Sequence, residues 1–424
     1  MTERLLQFIW QFQYFNKQSL QTVNGDTVDI IFQGNYNTHQ GPDFLQAKIK
    51  INQLVLVGNI EIHLLASDFI KHGHATDKNY QNLILHIVYK NDLAEHNQLL
   101  QQIPTIVLED RIATLLLDRY NTLMNVNQQL PCYNFLPALP TLAWLKWKET
   151  LAVERLTEKS NKVLSIFEAN KHHWEETFWQ LLAYNFGLKL NADLFFEMAT
   201  TININILAKH KHQLQQIEAI LLGQANLLEN NFQDGYAQLL QKEFRFLQSK
   251  YQFKKVNQQS LFLRTRPANF PTIRLAQLAA LIQQSTHLFS TVKECSSIKE
   301  IKKLFQVTAS DYWNEHFLFD KLAKNQRKKL GNTMIENIII NAVIPVVFAY
   351  GLFTKNESYT TKAVDWLQQL KAEHNTTIHV FENAGITNKT ALDAQALLQL
   401  KNKYCTQKRC LQCAVGNYLL KATN

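Results

Sequence analysis

Two carboxylates and an imidazole at close spacing are the side chains of this sequence best suited to chemistry. Asp43 closes Gly41-Pro42-Asp43, and Glu61 and His63 flank Ile62 shortly afterwards. In metal-assisted phosphodiester hydrolysis, carboxylates hold Mg²⁺ or Mn²⁺, the ion polarises a phosphoryl oxygen, and a neighbouring base positions or deprotonates water. Asp43 and Glu61 are the candidate metal-holding acids, and His63 stands where a water-activating group belongs. Six of the fourteen histidines (His39, His63, His72, His74, His86 and His96) fall in this front stretch. His72-Gly73-His74 with Asp77 is a second candidate metal set, because imidazoles and a carboxylate at short spacing converge readily from a loop. Contact with phosphate, or simple capping of that loop, are the other uses open to these residues. His86, in mid-strand, reads as a core histidine.

The elements that must position these groups are legible in the hydrophobic pattern. Residues 4–16 carry Leu5, Phe8, Ile9, Phe12 and Phe15 at helical spacing, and residues 27–33, 44–51, 54–64 and 83–90 are short β-branched or alternating runs. The expected order is helix, three strands, a crossover and a fourth strand. Residues two apart on a strand share a face, so Glu61 and His63 point one way and Ile60 and Ile62 the other. Whether Asp43 joins them is a question of register. Pairing Lys50 with Leu54 around Asn52 puts Asp43 opposite Glu61, whereas a two-residue Asn52-Gln53 turn puts Asp43 opposite Ile62, unless a bulge intervenes.

This arrangement resembles the PD-(D/E)XK nuclease superfamily, in which Pro-Asp opens the second core strand and a Glu-x-Lys triplet ends the third. Pro42-Asp43 and Glu61-Ile62-His63 match, with histidine in place of lysine. The resemblance implies an α/β domain, a mixed sheet flanked by helices, and metal-dependent nuclease chemistry. The departure bears on the water-activating step: His63 is a candidate ligand as well as a candidate base, and Lys48 or Lys50 is a candidate for a migrated cation. Glu3, the only acid available for the first-helix position that many members fill, is poorly placed for it. The chain is also similar over nearly its full length to a bacterial domain-of-unknown-function family (number 2851). That similarity rests on Asn37 with Gly41-Pro42-Asp43-Phe44, on Gly58-Asn59-Ile60-Glu61-Ile62-His63, on Ser67-Asp68-Phe69 with His72-Gly73-His74 and Asp77, and on the run from Tyr80 to His86. It continues through Arg266-Pro267-Ala268-Asn269-Phe270-Pro271 and residues 405–416. It implies the nuclease-like front and brings no substrate.

At 424 residues the chain exceeds what one core serves, so more than one domain is expected. Pro131, Pro137 and Pro140 cluster, and no proline follows until Pro267. The expected division is an α/β domain over 1–110, a helical connector and linker over 111–140, and a larger, mostly helical region over 141–424. Helical periodicity covers 111–130, 142–169, 174–186, 239–253 and 273–284, and 332–353 is the most apolar stretch. Its Glu336, asparagines and Pro345 point to a buried helix rather than a membrane span. The opening residues carry neither a small-residue cleavage site nor a span-length apolar run, so a cytoplasmic protein without membrane contact is expected.

Residues 1–110 hold 7 Lys+Arg against 11 Asp+Glu, and the remainder holds 37 against 24. An acidic front and a basic rear suit an enzyme that binds metal at one end and a polyanion with the other. The densest basic stretch runs from Lys242 to Arg274 with interleaved aromatics, and Lys254, Lys255, Arg264 and Arg266 are its candidate nucleic-acid contacts. Aromatics at helical spacing also form ordinary core, and Arg266 to Pro271 reads as a turn that seats a following helix. Cys405-x4-Cys410-x2-Cys413 can wrap a soft ion, zinc or an iron–sulfur cluster, with Cys132 the first choice for a fourth ligand and Cys295 the second. These readings converge on a metal-dependent, nuclease-like phosphodiesterase, with DNA ahead of RNA as partner. The alternatives are a non-catalytic nucleic-acid-binding or protein-interaction factor on the same scaffold, and a His-metal hydrolase of small substrates acting through His72, His74 and Asp77.

Overall fold

The computed structural model describes residues 1–421 apart from 75–76, 95–96, 99–101, 127–129 and 286. The chain forms two compact units: Met1–Ala143 together with Lys401–Asn424, and Trp144–Leu400. The first unit opens with α1 (Glu3–Phe12), capped by the Thr2 hydroxyl, which accepts the Leu5 N–H at 3.2 Å. Gln13, at φ 56°, ends it short of residue 16. Its buried face (Leu5, Leu6, Phe8, Ile9, Trp10) packs on the sheet.

Six described strands build that sheet: β1 (Val28–Phe32), β2 (Asn35–Tyr36), β3 (Phe44–Ile51), β4 (Leu54–Leu65), β5 (Leu83–Lys90) and β6 (Thr105–Val107). The order is β1-β3-β4-β5-β6, with β2 pairing beside β1 on β3. β1, β2 and β4 run antiparallel to β3, whereas β4-β5 and β5-β6 are parallel, so the sheet is mixed. The parallel pair β4-β5 requires a crossover, which holds α2 (Asp68–Lys71) and a 3₁₀ turn at Lys78–Tyr80. One sheet face is apolar: Phe44, Ile60, Ile62, Leu85, Ile87 and Ile106 are fully buried.

The β3-β4 hairpin takes the two-residue Asn52-Gln53 turn, pairing Ile51 with Leu54 and Ala47 with Gly58. Left regular, that ladder would turn Asp43 away from Glu61. Between Ala47 and Phe44 an extra residue is accommodated on β3, and the pairing resumes as Phe44 with Ile60. Gln46 sits in the left-handed region at φ 58° within this bulge, and its N–H donates to Asn59 Oδ1 at 3.3 Å. The shift by one residue brings Asp43 opposite Glu61.

After β6, α3 (Thr114–Asn125) completes the connector, and the C-terminal helix Ala414–Lys421 packs against it. The division therefore differs from the one expected: 111–140 belongs with the front, and 401–424 returns to it, a long-range pairing that no local pattern announces. The charge contrast shrinks with it. The front unit holds 14 Lys+Arg against 12 Asp+Glu and the rear unit 30 against 23, because 401–424 brings five cations and no acid.

The rear unit is mostly helical, with all but the first three residues of Thr141–Ala169, and with Trp174–Phe186, Gly235–Tyr251 and Pro271–Gln284, where periodicity placed them. Asn332–Thr354 is long and apolar enough to cross a membrane by length and composition, and two thirds of its most apolar window is buried within the fold. A π turn at Ile339–Val343 interrupts it just before Pro345, where an α-helical hydrogen bond would be lost.

Candidate metal centre

Asp43 and Glu61 are tied to each other through backbone. The Asp43 N–H donates to Glu61 Oε2 at 3.1 Å, and the Ile62 N–H donates to Asp43 Oδ2 at 3.0 Å. Asn37 holds the approach to Asp43: its Nδ2 donates to the Pro42 carbonyl at 2.9 Å and its N–H to the Asp43 carbonyl at 2.7 Å. Gln7 on α1 donates from Nε2 to Asp43 Oδ1 at 2.8 Å, and the Tyr36 hydroxyl donates to Gln7 Oε1 at 3.1 Å. Burial raises both carboxyls above the usual range, and each is raised further by a neighbouring acid, Asp43 by Glu3 and Glu61 by Asp43. Two buried acids raised by burial and by neighbouring acids could hold a cation.

Glu61 Oε1 faces imidazoles. It lies 3.7 Å from His63 Nε2 and 3.5 Å from His74 Nε2, while His63 Nε2 is 3.2 Å from His72 Nδ1. Among the described residues, His63, His72 and His74 are the set of His, Cys, Asp or Glu whose donor atoms all lie within 4.8 Å of one another. Ligands about 2.1 Å from one ion stand roughly 3.0–3.4 Å apart, close to these separations. His72 and His74 reach the site because Gly73, at φ 72°, reverses the chain between them after α2. His74 stacks on Tyr80 at 4.1 Å, and the buried Phe69 ring packs by its edge on His63.

His63 Nδ1 meets His86 Nε2 at 3.0 Å, so both ring nitrogens of His63 are engaged. Burial and the surrounding imidazoles push His63 down to about 3, and burial pushes His86 down to about 4. His63 is thus a neutral imidazole, not a stand-in for a lysine cation, and it is braced by a second imidazole. His86 is fully buried, and its Nδ1 finds no partner among the described residues, so it is more than a satisfied core histidine.

Several expectations change here. Asp77 caps the 3₁₀ turn, its Oδ1 accepting the Asn79 N–H at 2.9 Å, and it stands outside the histidine set. Lys48 and Lys50 pair with Val57 and Val55, four and six residues along β4 from Glu61, or roughly 13 and 20 Å away and beyond a lysine's reach. Glu3 proves relevant: half-buried in the first turn of α1, it raises the pKa of Asp43 and of Glu61. His39 is exposed, and His96 lies outside the described residues.

Gln7 and Tyr36 escaped the sequence reading, and Tyr80 entered it only within the run from Tyr80 to His86; the signal for Gln7 was a glutamine inside the apolar run Leu5-Leu6-Gln7-Phe8. Glu3, Arg4, Gln7 and Tyr36 line a cleft of about 380 Å³ together with Lys408 and Arg409. Asp43 lies one hydrogen bond behind that wall.

Lys254, Lys255, Arg264 and Arg266 are exposed in the rear unit, on the irregular segment after Gly235–Tyr251. Arg274, by contrast, is buried and donates to Asn269 and Gln277, and a 3₁₀ turn at Pro267–Asn269 leads into its helix. Phe244 is packed over Gly223, and Phe262 meets Phe270 edge-on. Cys132, Cys405, Cys410 and Cys413 line one small space in the front unit, whereas Cys295 ends the helix Leu288–Glu294 in the rear unit.

No curated protein and no solved structure matches this chain. A family model covers residues 3–376, which takes in the hairpin and the histidine loop and stops before the cysteine cluster. The chain belongs to the family described as "Protein of unknown function (DUF2851)".

Proposed function

We propose that this protein is a metal-dependent phosphodiesterase of nuclease type, built on a PD-(D/E)XK-like sheet. The observation that carries the reading is the β3 bulge, which sets Asp43 against Glu61 while Glu61 Oε1 faces three imidazoles. Glu61, His63, His72 and His74 are the ligand set, and three imidazoles with one carboxylate favour Mn²⁺ or another transition ion over Mg²⁺. A bound ion would supply Lewis acidity toward a phosphoryl oxygen and a nearby water. Glu61 and the imidazoles supply the donor atoms, and His86 fixes the orientation of His63. The Asp43 carboxyl, raised by burial and by Glu3, takes over the water-positioning role first assigned to His63, since a base works best with a pKa near the working pH.

A polyanionic substrate is supported by the cleft beside the site, where Arg4, Lys408 and Arg409 offer cations within the same compact unit as the acids. DNA remains ahead of RNA as substrate, and a cytoplasmic setting belongs to the proposal. The test is incubation of the purified protein with single-stranded, duplex and supercoiled DNA and with RNA, with Mn²⁺ or Mg²⁺, beside Glu61→Gln. Mn²⁺-dependent cleavage lost in the variant is the expected result. Salt-sensitive binding without cleavage would favour a non-catalytic factor that keeps the scaffold, and neither would overturn both readings.

A further inference from the structure

We propose that Cys132, Cys405, Cys410 and Cys413 hold an iron–sulfur cluster that fastens the C-terminal segment onto the front unit. The inference stands independently of the reaction at Glu61. All four side chains are buried, from two segments far apart in sequence, and they line one small space with Leu123, Tyr404 and Gly416. Gathering four thiols from residues 132 and 405–413 costs chain entropy that packing of such small side chains hardly offsets, whereas metal–thiolate bonds do so readily.

The spacing Cys405-x4-Cys410-x2-Cys413 with one distant cysteine is that of plant-type two-iron ligand runs, here with the distant member upstream.

Lys401, Lys403, Lys408 and Arg409 lie in the same segment as the three clustered cysteines, with no acid among residues 401–424. The turn itself is tight: the Arg409 N–H donates to the Tyr404 carbonyl at 2.9 Å, and Lys408 Nζ donates to the Met124 carbonyl at 2.6 Å. A Cβ on Gly416 would lie 2.0 Å from the Cys410 carbonyl oxygen, so glycine alone lets the last helix start under the turn. The same turn carries Lys408 and Arg409 to the cleft, so the cluster sets the cationic wall as well as the chain end.

The experiment is anaerobic purification of the full chain from iron-replete cells, followed by iron, acid-labile sulfide and zinc analysis and visible absorption. The proposal expects a brown protein with about two irons and two sulfides per chain. Cys132→Ser and Cys410→Ser should lose the colour and most of the iron, and Cys295→Ser should keep both. Stoichiometric zinc without sulfide, or a folded wild-type protein that is metal-free and takes up no iron and sulfide on reconstitution, would overturn it. Because the wild-type composition decides, an insoluble serine variant leaves the test intact.

Discussion

The β3-β4 hairpin and the segment around residues 254–266 both stand out in the sequence by residue type, yet the fold treats them oppositely. In the hairpin and the strand beside it, Asp43 meets the Ile62 N–H and His63 meets His86, each at 3.0 Å and each pair about twenty residues apart, across ladders whose register is fixed. In the rear segment, Lys254, Lys255, Arg264 and Arg266 are exposed on irregular chain, and of the neighbouring aromatics Phe253 is buried, Phe246 is exposed and Phe244, Tyr251, Phe262 and Phe270 are half-buried. A sheet converts spacing into convergence because every residue's partner is dictated. An irregular stretch leaves its charges as separate, solvated groups.

The largest break in that comparison comes from Glu61→Gln set against an Arg264→Ala, Arg266→Ala double variant. Initial cleavage rates in Mn²⁺ should fall about 10³-fold for the first and within about 3-fold for the second. Equal losses would erase the distinction between the regions. The next effect is pH-dependent stability of the metal-free protein. The raised carboxyls of Asp43 and Glu61 contribute stability that is complete below their unfolded values near 4 and is lost as pH rises through and beyond neutrality. His63 and His86, depressed in the fold, contribute stability present above about 6.5 and lost as pH falls toward 4 and 3. Melting temperature should therefore decline by several degrees on both sides, with Mn²⁺ restoring the alkaline limb and Glu61→Gln flattening it. An alkaline limb that neither treatment alters would contradict a buried, metal-seeking pair.

Arg409→Ala should weaken binding of single-stranded DNA by about tenfold and reduce the salt slope by about 0.7, whereas Arg264→Ala should change affinity by about twofold. The reverse order would move the substrate surface to the rear unit. The smallest effect sharpens the register itself: Gln46→Gly, which relieves the left-handed strain in the bulge, should stabilise the protein by about 0.5–1 kcal/mol with activity unchanged. Gln46→Val should do the opposite, as read from urea denaturation.

Much of this sheet is legible in the sequence. Residues 44–51 and 83–90 are strands over the expected bounds, since alternation and β-branching mark a half-buried ladder. The register is not, because the Leu45-Gln46 bulge carries no glycine, and strand pattern alone cannot count an extra residue. β2 and β6 are too short to show a period. His63 is visible as a candidate ligand, but the choice between ligand and base rests on what its second nitrogen touches, and His86 lies 23 residues away. Glu3 and Gln7 matter only because α1 packs its first turn against the start of β3, a tertiary fact. The C-terminal return to the front unit is legible only through Cys132, the first-choice partner for the cysteine run.

Anomalous diffraction from Mn²⁺-loaded crystals tests the metal centre directly. The account predicts one strong peak within about 2.0–2.3 Å of Glu61 Oε1, His63 Nε2, His72 Nδ1 and His74 Nε2. A peak bound elsewhere, or none at Mn²⁺ concentrations that support cleavage, would contradict it.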